Sequence, residues 1–203
     1  MQRKGFTLIE VLVVLALTAL LSGIAIGYTH VGQNDVSLSI EESEIAQMIL
    51  EAKELSIATY SSNSVTCAFG VQFDYVNSTY SLFAYDAAAS PSQPGGRPLC
   101  PSLAGTAASV DQNAITEYAN GSWQVHTPPG VVLDASADPV ASDTIQDVLF
   151  YPPNPFTLMS FDGQTFQDDY TNPPASTGYV YLSTVGGTDS RTISVNTDGQ
   201  VSL

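Results

Sequence analysis

MQRKGFTLIEVLVVLALTALLSGIAIGYTH, residues 1–30, opens the chain, and its reading sets the fold. Arg3 and Lys4 form a short basic head. Gly5 and Phe6 follow, and an apolar run fills residues 11–26. At the leading edge of that run stands one acid, Glu10. A carboxylate at the mouth of a membrane-length helix is costly unless something neutralises it. A secretory signal would account for the basic head, the apolar core and the small residues at Ser22, Gly23 and Ala25, but it has no use for Glu10. A plain membrane anchor fits the length: residues 11–28 make about 27 Å of helix, with the basic head on the cytoplasmic side.

A third reading accounts for Gly5, Phe6 and Glu10 together. Lys4-Gly5-Phe6-Thr7-Leu8-Ile9-Glu10-Val11 resembles the processing site of type IV pilins and type II secretion pseudopilins. The resemblance implies that a prepilin peptidase cuts between Gly5 and Phe6 and that Phe6 becomes an N-methylated first residue. It also implies that the apolar run is retained, first as anchor and then as filament core. Elementary chemistry agrees with each step. Gly5 has no side chain to obstruct a protease. The new amine on Phe6 lies one helical turn before Glu10, so the two can pair within a chain. Between neighbouring subunits the same pairing would offset the cost of a buried carboxylate and fix axial register.

The resemblance therefore divides the chain into a leader at 1–5, a transmembrane and filament-core helix at 6–28, an amphipathic exported half of that helix at 29–62, and a β-rich head at 63–203. The fold class expected is α+β, pilin-like, with one long N-terminal helix packed on antiparallel sheet. Ser22, Gly23, Gly27 and Gly32 interrupt the apolar helix, and Gly27 is a place where it can soften. Ser39 followed by Glu42 has the pattern of a capping box and suggests a partly separate second start. From there Ile45, Met48, Ile49, Ala52, Leu55 and Ile57 make a 3.6-period apolar stripe. Glu41, Glu42, Glu44, Glu51 and Glu54 fall on the remaining surface.

Beyond residue 64 the pattern changes to short strands: 65–73, 79–85, 123–126, 148–151, 156–161, 178–184, 192–196 and 200–203. Gly186-Gly187-Thr188-Asp189 and Thr197-Asp198-Gly199 read as hairpin turns. Residues 87–101, 127–142 and 168–177 read as loops rich in Pro, Gly and Ser. The order of these segments is similar to that of the H-type minor pseudopilins. The similarity is carried by the helix end at residues 52–58 running into a strand, and by the closing strand, turn and strand.

Composition limits the function. Five basic residues face twenty acidic ones, for a formal net charge of −15. Loss of residues 1–5 would take the charge to about −17. Such a body lacks the clustered cations that phosphate contacts need, so no nucleic acid partner is expected. The two cysteines, Cys67 and Cys100, allow one disulfide or two buried thiols, and an exported location favours the disulfide. His30 and His126 have no Cys or His neighbour at ligand spacing, which argues against a transition metal. Asp162, Asp168 and Asp169 can supply oxygen ligands to calcium but match no defined loop motif, and solvated loop acids are the plainer reading. Asn77-Ser78-Thr79 and Asn120-Gly121-Ser122 fit the glycosylation triplet. Tyr75, Tyr80, Trp123, Tyr151 and Tyr170 would line an adhesive face or simply pack in the sheet.

No G-x-S-x-G elbow or other catalytic constellation is present, so a non-enzymatic protein without a cofactor is expected. The resemblance implies a minor pilin or pseudopilin of a type IV pilus or type II secretion pseudopilus. It would cross the inner membrane once with its C-terminal domain outside, then pass into a periplasmic or extracellular filament. Its partners would be prepilin peptidase, other pilin or pseudopilin subunits and an inner-membrane assembly platform. A different class of function is a binding or adhesion module mounted on the filament, recognising a secreted substrate, a surface or a ligand through its loops.

Overall fold

The computed structural model describes residues 7–61, 66–86, 108–109, 115–117, 124–137, 143–152, 156–163, 165–167 and 177–203; the side chains at 25–33, 60, 61, 86, 108, 109, 115–117, 137, 156, 165 and 167 lie outside this description. One helix, α1 (Leu8–Ser61), runs through 54 residues, which is about 81 Å at the standard rise. It passes through Gly27 and Ser39 without a break. Ser39 is therefore not an N-cap, because a capping residue must itself be non-helical. The second start suggested by the capping-box pattern is absent.

Twelve strands follow among the described residues. The larger sheet contains β1 (Thr66–Asp74), β2 (Thr79–Asp86), β3 (Ala108–Ser109), β4 (Ile115–Glu117), β5 (Gln124–His126), β7 (Asp147–Tyr151), β8 (Phe156–Ser160) and β9 (Thr165–Gln167). Its order is β3-β9-β8-β7-β1-β2-β4, with β5 also on β2. The smaller sheet contains β6 (Val131–Leu133), β10 (Thr177–Thr184), β11 (Ser190–Asn196) and β12 (Val201–Ser202), in the order β12-β11-β10-β6. All these pairings are antiparallel. The α+β class is thus realised with two sheets. A single parallel bridge, Thr144 to Tyr179, lets the segment before β7 touch the smaller sheet before it enters the larger one.

Side-chain alternation along the strands builds a core on each face of the larger sheet. Phe69, Val71, Phe73, Tyr80, Leu82, Val148, Phe150 and Met159 point into the core shared with α1 and the smaller sheet. Ala68, Phe83, Tyr85, Leu149, Leu158 and Phe166 form a second cluster on the opposite face. From α1, Leu38, Ile45, Ile49 and Ala52 enter the first core, with Met48 and Leu55 packed at its margin. Three helix residues depart from the expected pattern. Ile57 stands exposed, while Glu41 and Glu42 are buried. The buried face is thus set by Leu38, Glu41, Glu42, Ile45, Ile49, Ala52 and Ser56, and Ile57 lies one residue past it, turned toward solvent.

Polar contacts pin the helix at separate heights. Arg191 pairs with Asp35 at 2.9 Å. Lys53 Nζ donates to the carbonyl of Gly199 at 2.8 Å, in the turn between β11 and β12. Near the helix end, buried Ser56 Oγ accepts the backbone N–H of Phe69 in β1 at 2.8 Å.

Candidate functional site

The site that sequence reasoning singles out is the free end of α1. Thr7 supplies the carbonyl that accepts the N–H of Glu10 at 3.1 Å, closing the first turn. Glu10 lies in that turn, where a negative charge suits the positive end of the helix dipole. Gly5 and Phe6 lie outside the described residues. Every described side chain from 7 to 24 is exposed. Leu8 is 82% exposed and Leu15 64%, and Leu12, Leu17, Leu20, Leu21 and Ile24 also face outward. A helix that is apolar around its circumference belongs inside lipid or among other helices.

Its length can be stated within the described residues. Residues 8–24 cover about 25 Å, short of the roughly 20 residues a hydrocarbon core needs. Accordingly, among the described residues no helical stretch is long and apolar enough to cross a membrane. The sequence-based span at 6–28 reaches into positions whose side chains lie outside the description. Further along α1, Val36, Ile40, Leu50 and Ile57 are also exposed. They continue an apolar edge up the docked half of the helix, away from its buried stripe.

The remaining candidates are dispersed. Cys67 is buried near the start of β1 and is disulfide-bonded. Cys100 lies outside the described residues. Asp162 sits on the turn after β8, where Ser160 Oγ donates to its Oδ1 at 3.1 Å. Asp168 and Asp169 also lie outside the description. Among the described residues no group of three or more His, Cys, Asp and Glu side chains is arranged to hold a metal.

Among the described aromatic residues, Tyr75, Tyr80 and Tyr151 pack in or against the two core clusters. Tyr80 is in the core, and the Tyr75 hydroxyl donates to the carbonyl of Ile145 at 2.8 Å. Trp123 and Tyr170 are outside the description. Asn77 heads a turn in which Asp74 accepts the backbone N–H groups of Val76 and Asn77 and the Asn77 amide. Those bonds hold the Asp74 carboxyl below its ordinary value. Asn120 is outside the description.

Two buried acids were not legible as sites. Glu41 faces Tyr80 across the helix–sheet interface, yet neither Glu41 Oε1 nor Tyr80 Oη makes a full hydrogen bond. Burial raises the Glu41 carboxyl, the Tyr80 hydroxyl partly offsets this, and Glu44 adds to the rise. Burial, and then the Glu41 charge, raises the Tyr80 hydroxyl in turn. Asp147 opens β7 and is buried to 2% exposure. Burial pushes its carboxyl up to about 6, against a hydrogen bond from Gln72 and with the help of the Asp162 charge. The signal for Asp147 was its place directly before the apolar run Val148-Leu149-Phe150, which extends the strand by one residue.

Residues 1–26 match the family model described as the prokaryotic N-terminal methylation motif. Among solved structures, the chain is similar to the minor pseudopilin EpsH from the Type 2 Secretion System of Vibrio cholerae. Identity is 13% and the TM-score 0.42, over 82% of this chain and 95% of that one. No curated protein matches the chain. The chain thus combines an N-terminal methylation motif, an exposed apolar helix end and an α+β head. The family match is confined to the N-terminal stretch that carries Gly5, Phe6 and Glu10.

Proposed function

We propose that this protein is a minor pilin or pseudopilin that is cut between Gly5 and Phe6, N-methylated on Phe6, and built into a filament through α1. The observation that carries the proposal is the division of one unbroken helix into two halves. Residues 8–24 expose apolar side chains on every side, while Leu38, Ile45, Ile49 and Ala52 bury theirs in the head. A soluble protein would gain by covering the first half, at roughly 25 cal/mol for each Å² removed from water. Lipid covers it before assembly, and neighbouring helices cover it afterwards. The exposed edge at Val36, Ile40, Leu50 and Ile57 extends that contact up the helix.

Glu10 supplies register. On this reading its carboxylate accepts the Phe6 amine of an adjacent subunit, an ion pair that apolar surroundings make costly to leave unpaired. The chain would sit in the inner membrane with its head outside, served by an assembly platform in that membrane. Within the class, the H-type minor pseudopilin reading rests on the sequence order of helix end, strands and closing hairpin. The test is Glu10→Ala and Glu10→Gln in cells that assemble the filament. Loss of the subunit from sheared filaments, with membrane levels and head stability unchanged, is the expected outcome. Wild-type incorporation of both variants would remove the register role.

A further inference from the structure

Residues 143–147 carry the chain from the smaller sheet to the larger one. Tyr179 in β10 holds the start of this crossing. Its N–H donates to the carbonyl of Asp143 at 2.8 Å, and its carbonyl accepts the N–H of Ile145 at 2.9 Å. The larger sheet holds the end. The Gln146 carbonyl accepts the N–H of Phe73 in β1 at 2.8 Å, and the Gln146 N–H donates to the carbonyl of Ser160 in β8 at 2.7 Å. Asp147 comes next, set by register between Gln72 of β1 and Ser160 of β8. It is buried where the crossing enters the sheet, and its Oδ1 has no hydrogen-bond partner. Burying an ionised carboxylate with an orphaned oxygen costs far more than burying its protonated form.

We infer that Asp147 is a proton-operated latch on this crossing: protonated, it lets β1, β7 and β8 close around the crossing, and ionised, it loosens the crossing and locally uncouples the two sheets. The surrounding elements bring no base to it among the described residues. Gln72 on β1 and Ser160 on β8 are neutral, and Asp162 beyond β8 is a second acid, whose charge opposes ionisation. Asp143 and Tyr179 are the titratable groups of the crossing itself, joined there through their backbones. Lys53 is engaged at Gly199 and Arg191 at Asp35, while His126 lies in β5 opposite Thr79. Burial accordingly pushes the Asp147 carboxyl from 3.8 up to about 6. Because the folded value is the raised one, the contribution to stability is complete below 3.8 and is lost as pH rises through about 6. The head is then tighter in mildly acidic surroundings than at neutrality. This inference concerns the head alone and does not depend on the filament reading.

The test is amide hydrogen exchange on the full chain in detergent, corrected for the intrinsic pH dependence of exchange and read by NMR. Protection at Ile145, Gln146 and Tyr179, the donors of the crossing, is compared with that at Ile49, buried midway along α1. In the wild-type chain the crossing amides should lose about tenfold in protection relative to Ile49 between about pH 5 and about pH 7.5. Asp147→Asn cannot ionise and should show no such relative loss. A carboxyl carbon-13 titration of the wild-type chain needs no variant, and it should place the Asp147 midpoint well above 3.8. Unchanged relative protection in the wild type would overturn the inference. So would the same loss in Asp147→Asn, or an Asp147 midpoint at or below 3.8.

Discussion

Gly199→Ala probes how the last hairpin is locked against the helix. Gly199 has φ +68°, the left-handed region, where a residue with a Cβ costs about 1–2 kcal/mol. Its surroundings add a second penalty. A Cβ at this position would stand 2.6 Å from Thr157 Oγ1 and 3.1 Å from both Lys53 Nζ and the Phe150 ring. Overpacking of this kind costs about 1–3 kcal/mol more. The combined loss is then about 2–5 kcal/mol, and a chain of this length loses about 2–4 °C of Tm per kcal/mol. Gly187 provides the internal control: it has the same φ of +68°, and nothing lies within 4 Å of its added Cβ. Gly187→Ala should therefore show the backbone penalty alone. Urea unfolding of both variants, followed by circular dichroism, measures the difference as a shift in midpoint at constant slope. Equal losses in the two variants would refute the packing of the β11–β12 turn on Lys53, Thr157 and Phe150.

Other perturbations bear on the remaining contacts. Ser56→Ala removes the 2.8 Å acceptor of the buried Phe69 N–H and should cost about 1–3 kcal/mol in urea unfolding. Glu41 is raised above 4.5 by burial, so its ionised form opposes folding. Its contribution is most favourable below about pH 4.5 and is lost as pH rises through the raised value. Glu41→Gln should therefore have a higher Tm than wild type at pH 7, with the gap closing toward pH 4. Val36→Lys with Ile40→Lys alters exposed positions and should leave head stability within about 0.5 kcal/mol. The same pair should reduce co-purification with filament subunits, and an undiminished yield would show that this edge is not a contact.

Much of the fold was legible because local patterns and tertiary structure agree. Alternation in Val65-Thr66-Cys67-Ala68-Phe69 and Gly178-Tyr179-Val180-Tyr181 announces strands, and Thr197-Asp198-Gly199 closes the hairpin it predicts. Four short strands escaped. β3, β4 and β9 hold two or three residues each, too few for a period, and β6 sits in a stretch whose Pro and Gly content reads as loop. The false second helix start arose because Ser39 and Glu42 satisfy a local rule that the continuing helix overrides. Glu41 and Glu42 were placed outside because charge alone suggests solvent. Here the neighbours Leu38 and Ile45 fix the buried face and carry the acids in with them. The processing segment was the clearest feature of the sequence, since Gly5, Phe6 and Glu10 have one joint explanation and no good separate ones. The burial of Asp147 was hidden because its place opposite Gln72 and Ser160 is set only by sheet register.

The most direct measurement is the N-terminal mass of the protein purified from cells with and without prepilin peptidase. With the enzyme, the expected species lacks Met1, Gln2, Arg3, Lys4 and Gly5 and carries one added methyl on Phe6. Without the enzyme, the basic leader should remain. An unprocessed N-terminus in both strains, or cleavage after Ala25 that discards the apolar helix, would contradict the proposal that this chain is a pilin or pseudopilin.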